Sequence, residues 1–445
     1  MARRTGRSSG GAAIVRALAV TRAGRDTTLP ATSDPGRKGL TARLLCAAAM
    51  LLAAACAAPS LFHSGPTLVH GPVDDMLDRR TQALRTGDET RFLADLDPKQ
   101  PDLLQRERML FANLRQFQFS EIRLHQFFPP DIAKPIDLQD GKAVEVGVLL
   151  SYRLAGIDTG GTQDGFDYTI VPRNGRPVVT KIDINALGSD SNNVPWELVP
   201  LRVARSGNVS VAADDTAGDP AALAGAIGAA DQQVRRLWGS RPAAPGTLVF
   251  ASADPTRTRS WFFAGLAATI ETSAFVSRVR AADEHGIISG DVIGGRMILT
   301  TGRIPADQIP GTYRHELAHA ISAPLSMFKP EPPPWATEGY ASWVEDPNNK
   351  VRLDYVRNAV KQGTFTGRLP DNATFYELAR IHLDYGLGLT VFRFIAGKWG
   401  AERASDVYAD VLSGKSLDAA TTRVLSIDQA TFLQQWAAYV RQLPA

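Results

Sequence analysis

The five residues "HELAH" place His315, Glu316 and His319 in about one turn of an apparent helix. Side chains four apart lie on one helix face, so both imidazoles can turn a ring nitrogen toward a single tetrahedral cation. Glu316 points to the side of that face. From there its carboxylate can reach a water at the cation's open position, but it is badly placed to be a ligand itself. With 7 histidines in 445 residues, chance yields this pattern about 0.003 times in a chain of this composition. The competing structural explanation is a histidine pair packed in a core.

A later glutamate argues for the cation. Eighteen residues separate His319 from Glu338, enough for the chain to leave one helix, turn through "KPEPPP" and enter a second at "WATEGYASWVE". Prolines cannot continue a helix, so the turn is enforced. A second helix laid against the first brings Glu338 to the cation as a third protein ligand. Two imidazoles and a carboxylate suit zinc (Zn2+), which lowers the pKa of a bound water to about 7. Glu316 is then expected to take that water's proton as it attacks a scissile carbonyl and to hand it to the leaving amine.

With the spacing HExxH-x18-E and the frame W-x-x-E-G-[FY]-A in place, the chain resembles the gluzincin zinc metallopeptidases, most of all the aminopeptidase N and leukotriene A4 hydrolase branch. Trp335, Glu338, Gly339, Tyr340, Ala341, Ser342, Val344 and Glu345 fit that branch's pattern. Tyr385 and Gly388, ahead of a helix ending in Trp399 and Gly400, are similar to the family segment whose tyrosine steadies the oxyanion. The resemblance therefore implies a catalytic role for Tyr385. It covers roughly residues 200–445 and implies a thermolysin-like zinc domain. One feature departs from the pattern: where the aminopeptidases carry a Gly-x-Met-Glu-Asn strand that captures the substrate amine, this chain reads "IGGRMILTTGRIP", without an acid. Endopeptidase activity is favoured over aminopeptidase activity on that ground. An edge strand at this place is expected to pair with an extended peptide.

Other titratable residues draw plainer readings. Glu345, seven residues after Glu338, is either a hydrogen-bond partner for a ligand histidine or a solvated acid. His382 reads as a core or surface histidine. His63, His70, His125 and His285 lie outside any metal-like spacing. "VRRLWGSRP" reads as a solvated helix end.

The elements that must position this chemistry follow from periodicity and punctuation. "DDMLDRRTQALRTGDETRFLADL" and "DLLQRERMLFANLRQF" have helical spacing; "FSEIRLHQF", "AVEVGVLLSYRL", "FDYTIVPRNG" and "RPVVTKIDI" alternate as strands, the last two around an "RNG" hairpin turn. Helices followed by a strand meander resemble the nuclear-transport-factor-2-like cone. Beyond a boundary near Asn192, Asp219 caps a helix stopped by Gly239, and "GTLVFAS" and "GDVIGGRMILTT" are strands, with Gly294 and Gly295 marking a bulge or a close backbone approach. Five helical segments follow "WATEGYASWVE", including "TFYELARIHLDYGLGLTVFRFIAGKWG". The expected organisation is α+β: a leader at 1–55, a tether at 56–72, a small helix-plus-antiparallel-sheet domain at 73–190, and the zinc domain at 196–445 with a mostly helical C-terminal half.

At 44% hydrophobic and 21% charged residues, the composition is that of a folded globular protein. The formal charge of +3 comes from the leader: residues 1–55 carry 9 basic and 2 acidic groups, leaving a slightly acidic body with no electrostatic footprint for nucleic acid. Arg37, Lys38 and Arg43 precede a short apolar run that reads as a signal segment, too short to span a bilayer comfortably. "LAAAC" at Cys56 resembles a lipobox, so the body is expected outside the cytoplasm, anchored to the membrane by lipid at Cys56 or secreted. Cys46 and Cys56 are the only cysteines, so any metal in the body must be held by His, Asp or Glu. The expected partner is a peptide or protein substrate. A zinc-bearing envelope scaffold that binds peptide or cell-wall strands without cutting them is the alternative, and intact Glu316 argues against it.

Overall fold

Caps and prolines open the first helices, and glycine closes the longest of them. Helix α1 (Pro72–Thr86) begins at a proline and stops at Gly87, whose φ of 79° suits the left-handed residue after a helix. The short α2 (Glu89–Leu93) is capped by the Asp88 side chain, which accepts from the Arg91 N–H, and α3 (Pro101–Leu114) again starts at a proline. Strands β1 (Phe119–Gln126), β2 (Val144–Leu154), β3 (Thr162–Ile170) and β4 (Val179–Ile184) form an antiparallel sheet in sequence order. Asn174 and Gly175 both take positive φ, 53° and 71°, as the expected tight hairpin turn requires. The computed structural model describes residues 71–127, 138–184, 194–262, 273–283, 287–327 and 330–444, all within one compact unit. Cys46, Cys56, the leader, most of the tether and the boundary at Asn192 lie outside them.

After α4 (Pro195–Leu198) come β5 (Arg202–Ser206), β6 (Val209–Ala213), α5 (Pro220–Trp238), β7 (Thr247–Ser252), α6 (Pro255–Ser260), β8 (Ala274–Ala282) and β9 (Ile288–Thr300). As expected, Asp219 caps α5 by accepting from the N–H groups of Ala221 and Ala222, and Gly239 ends it. The five strands lie in the order β5-β6-β7-β9-β8. β6, β7 and β9 run parallel, while the outer strands β5 and β8 are antiparallel to their neighbours. This corrects one expectation. The segment carrying Gly294 and Gly295 is not an edge but β9, paired to β7 on one side and β8 on the other. Its run from Val292 to Thr300 is buried throughout, as an inner strand covered on both faces must be. The sheet's end strand on that side is β8.

The C-terminal half is helical: α7 (Ile309–Ser322), α8 (Pro334–Glu345), α9 (Lys350–Lys361), α10 (Ile381–Trp399), α11 (Ala401–Leu412), α12 (Leu417–Leu425) and α13 (Gln429–Arg441). Thus the protein is α+β, with an antiparallel sheet first and helices last, as its sequence pattern predicts. A second correction concerns α10, which starts at Ile381 and not at Thr374. The residues before it fold into local turns, with the Glu377 N–H donating to Thr374 O and the Arg380 N–H to Glu377 O. Among the described residues no helix is long and apolar enough to cross a membrane.

Glycine brings the helices around the site into backbone contact. A Cβ on Gly339 of α8 would sit 2.6 Å from the Gly388 backbone of α10, and one on Gly388 would sit 2.8 Å from Trp335 O. On β9, a Cβ on Gly295 would approach the Ala320 Cα of α7 at 3.2 Å. Both expected features of the glycine pair are present there, since the β8–β9 register also shifts beside Gly294.

Candidate metal centre

Helix α7 carries His315, Glu316 and His319, and α8, entered through the prolines Pro333 and Pro334, carries Glu338 and Glu345. Packing of α8 on α7 brings the expected set together. Glu338 Oε2 lies 3.3 Å from His315 Nε2 and 3.6 Å from His319 Nε2. One ligand atom from each of the three residues falls within 4.8 Å of the others. Tetrahedral ligands bound at about 2.0–2.1 Å stand roughly 3.4 Å apart, so the cluster needs little adjustment to close on an ion. These three side chains, His315 and Glu338 buried and His319 half-buried, can hold a metal ion.

The electrostatics point the same way. Burial alone disfavours an imidazolium at His315, but hydrogen bonds with Glu338 and Glu345 outweigh it and hold the group at about 10. Burial likewise pushes the Glu338 carboxyl up, yet the charge of His319 and the hydrogen bond from His315 keep it well below the usual range. A site that so favours positive charge beside Glu338 is equally suited to a dication.

Behind the ligands, His315 Nδ1 meets Glu345 Oε2 at 3.0 Å, and Glu345 is paired with Arg352 at 2.8 Å. Of the two readings of Glu345, the histidine partner is the one found. Burial raises its carboxyl, but the Arg352 charge and the His315 bond bring it down to about 2. The Nδ1 contact leaves Nε2 facing Glu338, which is the nitrogen a metal needs.

Glu316 is buried and makes no hydrogen bond among the described residues; burial pushes its carboxyl up against the pull of the two histidines. Tyr385, in the first turns of α10, stacks its ring on His315 with centroids 6.5 Å apart, and the Arg352 guanidinium lies 5.3 Å from its centre. Its buried hydroxyl makes no well-angled hydrogen bond among the described residues. Burial first, then the nearby Glu338 carboxylate, push that hydroxyl well above the usual tyrosine range, so it stays a donor. All five expected site residues therefore belong to one cluster.

Two contributors carry no signal in the linear spacing: Arg352 on α9, and Tyr376, whose hydroxyl donates to Glu338 Oε1 at 3.2 Å. Burial and the Glu338 charge push the Tyr376 hydroxyl well above its usual range too. The two remaining described histidines lie outside the cluster. His382 stacks on Tyr355 with centroids 4.7 Å apart, and His125 contacts Ser151 Oγ at 2.7 Å, while His63, His70 and His285 lie outside the described residues. No protein-family model matches the chain, and no curated protein matches it either.

Proposed function

We propose that this protein is an exported zinc-dependent metallopeptidase of gluzincin type that cuts within peptide chains. The observation that carries this reading is the meeting of His315, His319 and Glu338, with the buried Glu316 carboxylate on α7 beside the two histidines. Two imidazoles and one carboxylate match zinc better than calcium or magnesium, which seek more oxygen ligands. A zinc ion held there supplies Lewis acidity, lowering the pKa of water to about 7 and polarising a carbonyl.

The chain's own groups supply the rest. Glu316 accepts a proton from the attacking water and delivers it to the departing amine nitrogen, a two-way role suited to a buried carboxylate whose affinity for protons is raised. The Tyr385 hydroxyl donates to the carbonyl oxygen as negative charge develops there, a contribution of about 3 kcal/mol for a well-placed donor. The leader and Cys56 support a body anchored by lipid or released outside the cytoplasm.

The test combines metal analysis with digestion. The purified exported body is expected to hold one zinc per chain and to cut casein until a chelator is added. N-acetylated peptides should be cut as well as free ones. Glu316→Gln should keep the zinc and lose turnover by at least about 100-fold, whereas His315→Ala should lose both. A Glu316→Gln protein with unchanged peptidase activity would reject the assigned base, and a zinc-loaded wild type that binds peptides without cutting them favours the scaffold.

A further inference from the structure

We propose that Tyr376 is a positioning residue that keeps Glu338 ligating through a single oxygen. The inference rests on the metal site described above. A carboxylate can hold a cation with one oxygen or two, and a second oxygen on a four-coordinate zinc takes the position that water or substrate needs. In this site the two Glu338 oxygens have different duties. Oε2 faces both imidazoles, at 3.3 and 3.6 Å, while Oε1 accepts the Tyr376 hydroxyl at 3.2 Å.

That hydroxyl is itself held in place. Tyr376 follows Phe375, which is fully buried and packs against the Tyr385 ring with centroids 5.3 Å apart. The Phe375 and Tyr376 rings meet edge to face at 5.0 Å. The local turns ahead of α10 fix the backbone, so the Tyr376 oxygen has a defined station over Glu338. Tyr376 and Tyr385 thereby divide the work: one restrains a ligand, while the other keeps its donor for the reacting carbonyl.

Tyr376→Phe removes the hydroxyl that holds Glu338 Oε1 and keeps the ring. Zinc affinity, read by competition with a chromophoric chelator, is expected to fall 10- to 100-fold, the range typical for losing a partner of a ligand. The cobalt-substituted variant should show weaker visible absorption than wild type as coordination rises from four to five. In a Glu338→Ala background, Tyr376→Phe should cause no further loss of affinity. Unchanged affinity and cobalt spectrum in Tyr376→Phe, or an equal loss when Glu338 is absent, overturns the assignment to Tyr376 alone. A wild-type chain that takes up no metal sinks the metallopeptidase reading with it.

Discussion

At the scale of single residues, the centre is a chain of contacts running from the ligands outward: Glu338 to His315, His315 to Glu345, Glu345 to Arg352, and Arg352 over the Tyr385 ring. Glu345 is the link whose removal is most informative, because it touches neither the ion nor the peptide. Its negative charge increases the electron density of the His315 ring, and its acceptor oxygen selects the tautomer with a proton on Nδ1. Glu345→Gln keeps the shape and an acceptor but drops the charge. Zinc affinity should fall about 10-fold, measured by chelator competition, with the protein still folded and still able to cut when zinc is in excess. An unaltered affinity would mean that the Glu345 carboxylate balances Arg352 and does nothing for the metal.

At the scale of elements, glycine sets the distance at which α8 crosses α10. Gly339 directly follows the ligand Glu338, and Gly388 lies one turn after Tyr385, so the same crossing fixes a ligand and a donor. Gly339→Ala puts a methyl 2.6 Å from backbone atoms that cannot rotate away. The helices must separate, at a cost of about 1–3 kcal/mol typical of overpacking, and Glu338 must shift with α8. Thermal unfolding should show the lost stability, and zinc affinity should fall together with it; Gly397→Ala, where a Cβ meets nothing within 4 Å, should lower neither. Much of this element level was readable in one dimension. "HELAH", the proline turn and the "EGY" glycine announce two packed helices, Asp219 and Gly239 bracket α5, and "RNG" marks a hairpin. Strand order is not, because a strand's partners depend on contacts remote in sequence, and β9 lies between β7 and β8 where an edge is expected. The long buried run "VIGGRMILT" was the available hint of an inner strand. Tyr376 escaped because its segment continues the apolar periodicity of α10, while the chain actually turns there.

At the scale of the whole molecule, the two sheets share a core. Trp196, Ala212, Leu248, Phe250 and Ile298 pack with Phe117, Tyr152 and Leu154 of the first sheet's region. A bidentate pair of Arg296 on β9 with Asp158, at 2.6 and 2.9 Å, ties the loop after β2 to the second sheet. Beside this joint sit two buried acids. Asp164 accepts from Trp196 Nε1 at 3.3 Å and from the Tyr152 hydroxyl at 3.4 Å, and among the described residues neither carboxylate oxygen of Glu197 has a hydrogen-bond partner. Burial pushes the Asp164 carboxyl up to about 7 against the pull of Trp196 and Arg296, and burial with the Asp164 charge pushes Glu197 well above its usual range. The sign of the consequence follows from proton counting. Between about 4, where an unfolded aspartate loses its proton, and about 7, the folded chain keeps a proton that the unfolded chain has released. The Asp164 contribution to stability therefore falls as pH rises through that window and stays low above it. Asp164→Asn removes this titration; its one amide oxygen can accept from Trp196, while its NH2 group can donate to the Tyr152 hydroxyl oxygen. The variant should be more stable than wild type at pH 8, on the order of 3 kcal/mol, with the advantage shrinking toward zero by about pH 4. Thermal or urea unfolding across that range reads it directly. A constant difference at every pH would show that Asp164 acts through packing and hydrogen bonds alone, leaving the joint between the sheets insensitive to its charge.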